Sequence, residues 1–321
     1  MPSPSSQVKL AKRYQKLTHR EQILLRPDTY IGSVQRNSAS TASAVWVYSE
    51  SKMRIIQKSG VKYSPGFVQI FEEILVNALD HQTDPKHNVT QIKVDFDLET
   101  NQISVWNNGS GIPVLTHPEH KLYIPDMIFG HLLTSTNYDD TQKRVTGGRN
   151  GFGAKLTNIF SKKFRVDTVC AGKKFSKEWT NNMLESTDAK ITENIKGTDY
   201  TRIIYEPDFE RFGMKSLDSD VLSILKKRVM DATACSSKRV SVYLNGERLA
   251  MKTLKDYSSL YFSKKDSSAS VATPVIIIDS FGERWEIGVT VSPKEEFMHV
   301  SFVNSIDTPE GGTHVDYITD Q

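Results

Sequence analysis

The sequence predicts an α+β fold. Helices and strands are mixed without a regular strand–helix alternation, a long amphipathic helix starts near residue 64, and two period-two segments follow it at 92–96 and 103–105. The 321 residues suffice for two domains or one large one. Apolar and charged fractions of 38% and 25% allow a sizeable core.

Residues 1–12 are polar and basic and are expected to form a mobile arm. A short helix follows, with Thr18 and Glu21 at capping-box spacing and Pro27 closing the segment. Ala44–Tyr48 reads as a strand. Ser64 and Pro65 pair a capping hydroxyl with a proline at the first helical position, so a helix is expected over 65–84. Alternation of Ile92, Val94 and Phe96, then of Ile103 and Val105, predicts a hairpin turning at 97–102. The loop Asn107-Asn108-Gly109-Ser110-Gly111 follows, then a helix over 125–133, a polar glycine-rich stretch at 136–153 and a short helix over 154–160. Strands are expected near 164–170, 174–179, 199–205, 239–244, 274–279, 284–291 and 299–305, and a helix over 217–230. The final Tyr317–Gln321 reads as a helix interrupted, so a longer chain is expected.

Lys plus Arg exceed Asp plus Glu by three, which neither requires nor excludes a nucleic-acid partner. Cys170 and Cys235 have no metal-ligand spacing around them, and a reduced compartment is the default. The N-terminus lacks the apolar core of a signal peptide, and no apolar run is long enough to span a bilayer, so a soluble protein without a membrane partner is expected.

On the long helix, Phe67, Ile70, Phe71, Ile74, Leu75 and Ala78 share one face, while Glu73, Asn77, Asp80 and Asp84 lie on another. Glu73 and Asn77 are one turn apart. A carboxylate there can take a proton from water, and an amide oxygen one turn on can ligate a hard cation such as Mg²⁺. Alone, the stripe reads as a solvated face, and only the glycine loop changes that. Glu72, about a quarter turn away, is the poorer candidate.

Residues 146–155 read Thr-Gly-Gly-Arg-Asn-Gly-Phe-Gly-Ala-Lys. Gly148, Gly151 and Gly153 let a backbone approach an anion, a helix begins directly after, and Lys155 adds a charge, so a triphosphate fits. It is not a P-loop, because Ala154 follows Gly153, and no βαβ unit makes it a dinucleotide fingerprint. A plain flexible loop stays open as an alternative. Asn107, at a strand end, can pair with a base edge or serve a turn. Ser135, Thr136 and Asn137 can bind ribose or phosphate, or cap a helix.

With Glu73, Asn77, Asn107 and the loop 147–153 in this order, the chain resembles the GHKL ATPases. The segments 25–33, 73–78, 132–140, 146–161, 301–305 and 311–315 resemble the eukaryotic type IIA topoisomerase branch of that superfamily. The resemblance implies a GHKL (Bergerat) two-layer α/β sandwich over 13–250, and the start of a truncated transducer domain over 251–321. It implies that ATP and Mg²⁺ are bound, with Glu73 as general base, Asn77 as Mg²⁺ ligand and Asn107 reading adenine. Ser135, Thr136 and Asn137 would contact ribose and phosphate. Arg149, Asn150, Gly151, Phe152, Gly153, Ala154 and Lys155 would wrap the phosphates, and Tyr14 would cross to a partner subunit's nucleotide. It further implies a homodimer that captures double-stranded DNA, in the nucleus. Two departures stand out: residues 81–84 lack the family's longer, more basic stretch, and the transducer lysine that reaches the γ-phosphate has no match.

Overall fold

The computed structural model describes residues 14, 16–38, 43–132, 134, 146–148, 151–193, 196–262, 274–282, 284–292 and 296–320. The basic arm at 1–12 lies outside them.

The chain opens with α1 (His19–Leu25) and α2 (Asp28–Ile31). The expected capping box is present: the Glu21 amide donates to the Thr18 hydroxyl at 3.2 Å, and the Thr18 amide to the Glu21 carboxylate at 2.7 Å. β1 (Val45–Ser49) pairs antiparallel with β2 (Arg54–Lys58). β2 has no local cue, because the turn before it runs through Met53 at φ 49°, without the glycine or asparagine that usually marks such a turn.

The long helix α3 (Pro65–His81) is capped by the Ser64 hydroxyl, which accepts from the Phe67 amide. It stops three residues short of the expected end, because Asp84 caps a following 3₁₀ turn at Pro85–His87. Then come β3 (Gln91–Asp97), β4 (Gln102–Asn108), α4 (Ile124–Gly130), α5 (Gly153–Ile159), β5 (Ser161–Cys170), β6 (Lys173–Thr180), β7 (Glu185–Ser186), β8 (Lys190–Glu193) and β9 (Tyr200–Pro207). Helix α6 (Ser219–Ala234), β10 (Ser241–Leu244), β11 (Glu247–Arg248) and α7 (Leu254–Ser259) follow. The last part holds two hairpins, β12 (Ile277–Phe281) with β13 (Trp285–Val289) and β14 (Phe302–Val303) with β15 (Ile306–Asp307), and then α8 (Thr313–Thr319). The strand expected over 299–305 is thus cut to Phe302–Val303, and a second strand follows beyond the expected end. Asn304 and Ser305 both take positive φ, 49° and 67°, and turn the chain back.

Among the described residues, nine strands form one mixed sheet in the order β11-β10-β3-β4-β9-β5-β6-β7, with β8 also on β6. All pairings are antiparallel except β10 on β3, which α6 makes possible by carrying the chain back across the sheet. The expected hairpin sets Val94 opposite Val105 and Phe96 opposite Ile103.

The six apolar residues expected on one face of α3 are all buried in the main core, and Phe71 meets Phe96 with ring centroids 5.7 Å apart. Each of the five larger side chains contributes about 1.5–3 kcal/mol through burial, and Ala78 less. This face docks α3 beside α5 and α6, and leaves its polar stripe facing a cleft. Among the described residues, no helix is long and apolar enough to cross a membrane.

Candidate active site

The polar stripe of α3, the end of β4, the start of α5 and residues 297–310 enclose a cleft of about 1780 Å³. Glu73 sits in its wall, half-buried, with Oε1 accepting from Gln69 Nε2 at 2.7 Å. Burial raises its pKa above the ordinary carboxylate value. The Gln69 bond works against this rise, and the nearby charges of Glu72 and Asp80 add to it. Such a carboxylate is a stronger base than an exposed one once ionised. Glu72 also borders the cleft, but its carboxylate is bound by the Arg228 guanidinium.

Gly153 lies directly against that carboxylate. A Cβ placed on it would stand 1.9 Å from Glu73 Oε2, so only glycine fits there. Asn77 is exposed, and its Oδ1 lies 3.8 Å from where a Cβ of Gly148 would be. The amide oxygen therefore faces the glycine loop. Asn107 is buried in β4 on the cleft floor, beside Thr201 of β9. One of its amide hydrogens goes to the Asn108 carbonyl at 3.0 Å.

Lys155, read from sequence as a charge at a helix start, is buried with 2% of its surface exposed. Its ammonium donates to the carbonyls of Thr134, at 2.8 Å, and of Gly151. Burial pulls its pKa down to about 8. Among the described residues no carboxylate pairs with it. Two neutral carbonyls offset only part of the cost of burying this charge, and an anion would offset more. Gly151, Phe152, Gly153 and Ala154 line the same cleft, and Ala154 also packs into the core. Ser135, Thr136, Asn137, Arg149 and Asn150 lie outside the described residues. Tyr14 stands exposed at 82%.

The four residues where the family's basic stretch is missing are absorbed by local structure. The His81 ring stacks on His87 at 4.1 Å and bonds the Ser110 carbonyl at 2.7 Å. Gln82 bonds Ser236 and the Ser237 amide, Thr83 donates to the Asp80 carbonyl, and Asp84 caps the 3₁₀ turn.

One residue of the stripe does more than its position announced. The Asp80 carboxylate accepts the amides of Gly147 and Gly148 at 2.8 and 2.9 Å, tying the glycine loop to α3. Burial raises its pKa although both amides oppose the rise. For Asp80→Ala we expect faster hydrogen exchange at Gly147 and Gly148, roughly tenfold or more, because a bond to a charged acceptor is worth about 1.5–3 kcal/mol. Mass-spectrometric exchange over 146–148 reads this directly, and unchanged protection there would remove Asp80 as the anchor.

A family model described as "Histidine kinase-, DNA gyrase B-, and HSP90-like ATPase" matches residues 63–201, and one described as "DNA gyrase B" matches 249–321. The solved ATPase region of Saccharomyces cerevisiae topoisomerase II superposes with a TM-score of 0.88 at 45% identity, covering 97% of this chain and 79% of that one. The chain belongs to the DNA topoisomerase II family. It is 46% identical to DNA topoisomerase 2 of Drosophila melanogaster, covering 100% of this chain and 22% of that protein. Identity to DNA topoisomerase 2-beta of Homo sapiens is 47%, over 99% of this chain and 19% of that one. The chain thus spans about a fifth of these relatives and corresponds to the family's ATPase region, with its GHKL fold. The gyrase B ATPase domain of Thermus thermophilus shares that fold, with a TM-score of 0.52 at 21% identity.

Proposed function

We propose that this chain binds Mg-ATP and hydrolyses it as the ATP-operated gate of a type IIA topoisomerase. The observation that carries this reading is the contact of the Glu73 carboxylate with Gly153, ahead of the buried Lys155 ammonium. It sets a base against a phosphate cradle. Glu73 takes the proton of the attacking water, Lys155 and the loop amides hold phosphate oxygens, and Asn107 presents its remaining amide groups to the adenine edge. The Asn77 amide oxygen is a hard donor that would hold Mg²⁺. When bound, Mg²⁺ neutralises charge developing on the phosphates.

In this reading residues 13–250 form the ATPase domain, and 251–321 begin the transducer. ATP closes two copies into a homodimer around a DNA duplex, Tyr14 reaches the partner subunit's nucleotide, and hydrolysis reopens the clamp in the nucleus.

Calorimetric titration of the chain with ATP, with and without Mg²⁺, tests the reading. For Asn77→Ala we expect Mg²⁺-dependent affinity to fall about tenfold or more, equivalent to about 1.4 kcal/mol. Intact affinity would refute the ligand role, and a chain that binds no ATP would sink the reading as a whole. Sedimentation with a non-hydrolysable ATP analogue checks the dimer.

A further inference from the structure

Helix α6 carries a buried cation pair that the catalytic reading does not use. Lys227 and Arg228 are both 5% exposed at the side chain. Arg228 grips Glu72, the neighbour of Glu73 on α3, and Asp231 on its own helix. Lys227 Nζ lies 2.8 Å from Asp231 Oδ2 and 3.1 Å from Asp307 Oδ2 at the end of β15. Tyr257 on α7 donates to the other Asp231 oxygen at 2.7 Å. The ring of Phe302, at the start of β14, lies 5.9 Å from both cations. The β14–β15 hairpin is therefore held at both strands, by Phe302 and by Asp307.

Its turn reaches the glycine loop. Asn304 Nδ2 donates to the Thr146 carbonyl at 3.4 Å. A Cβ on Gly147 would stand 2.9 Å from the Asn304 carbonyl oxygen, 3.1 Å from Ile306 Cδ1 and 2.8 Å from Val76 Cγ1. Gly147 is thus clamped between the hairpin turn and α3, whose Asp80 takes its amide. A packed contact this close transmits a shift of the hairpin to the loop, because neither side has room to yield.

We propose that the β14–β15 hairpin is a brace for the glycine loop, latched by Lys227 and Asp307, and that these two act as positioning residues for ATP turnover, which rests on the ATPase reading above. Both line the cleft, but their charges are already engaged in the buried ion pairs with Asp231 and with each other. Their effect passes through the hairpin turn to Gly147 and so to the loop that meets Glu73.

The test uses the whole chain and the variant Asp307→Asn, which removes the latch charge but leaves Asp231 and Tyr257 on α6 and α7 intact. Without nucleotide, we expect faster hydrogen exchange over 146–148 and 302–307, with α3 unaffected. With Mg-ATP, we expect kcat to fall roughly tenfold while KM stays put, because a misplaced catalytic geometry costs rate more than binding. Asp307→Glu should restore most of both. Unchanged exchange over 146–148 in Asp307→Asn overturns the brace, as does a loss that glutamate fails to rescue. The exchange arm needs no nucleotide, so it decides the brace even if the wild-type chain binds no ATP and the ATPase reading falls.

Discussion

Glu73→Gln should leave ATP bound and all but stop its turnover. The amide matches the carboxylate in size and still accepts the Gln69 hydrogen bond, so the cradle against Gly153 keeps its shape. It cannot take a proton. General-base removal lowers turnover by about 10²–10⁴-fold. Calorimetry should return wild-type affinity or better, since a negative charge facing a triphosphate has gone. Turnover at the wild-type rate would remove Glu73 from proton transfer. Acidity adds a second readout. Burial raises the Glu73 pKa, so the acid limb of the turnover profile should lie above the ordinary carboxylate range. For stability the sign is opposite to that of a salt-bridged carboxylate. The folded state holds this proton more tightly than the unfolded chain, so the associated stability is full below the unfolded pKa and is lost as pH rises through the folded one. The glutamine variant should therefore gain on wild type in thermal unfolding as pH rises through that window.

Local rules made much of this site legible. Helical spacing placed Glu73 and Asn77 on one stripe, and the Ser64-Pro65 pair fixed where that helix starts. Alternation gave the β3–β4 hairpin and put Asn107 near its end. What stayed hidden depends on contacts between distant segments. Asp80 lay on the stripe, but its partners Gly147 and Gly148 are 67 and 68 residues away. Lys227 lies in the helix expected over 217–230 with no local sign of its partner Asp307, 80 residues on. Lys155 read as a charge at a helix start, and nothing local says that such a lysine will be buried under two carbonyls. β2 was missed for the opposite reason: its turn runs through Met53 at positive φ, which local preference argues against.

Gly153→Ala should be nearly as damaging as loss of the base, by a different route. The added methyl would stand 1.9 Å from Glu73 Oε2, 2.9 Å from Cδ and 3.2 Å from Cβ, so the carboxylate has to swing aside. Overpacking of this kind costs about 1–3 kcal/mol of stability. It also breaks the Gln69 contact and moves the base, and a displacement of about 1 Å costs roughly 10²-fold in rate. A second background separates this from a general intolerance of the loop. In Glu73→Ala the obstructing carboxylate is gone, and adding Gly153→Ala should cost little further stability. In Glu73→Gln the amide fills the same space and the full cost should persist. This non-additivity is the signature of two groups in contact. An equal cost in all three backgrounds would mean that Gly153 is needed for its backbone alone, and that the contact between cradle and base does not set the geometry of the site.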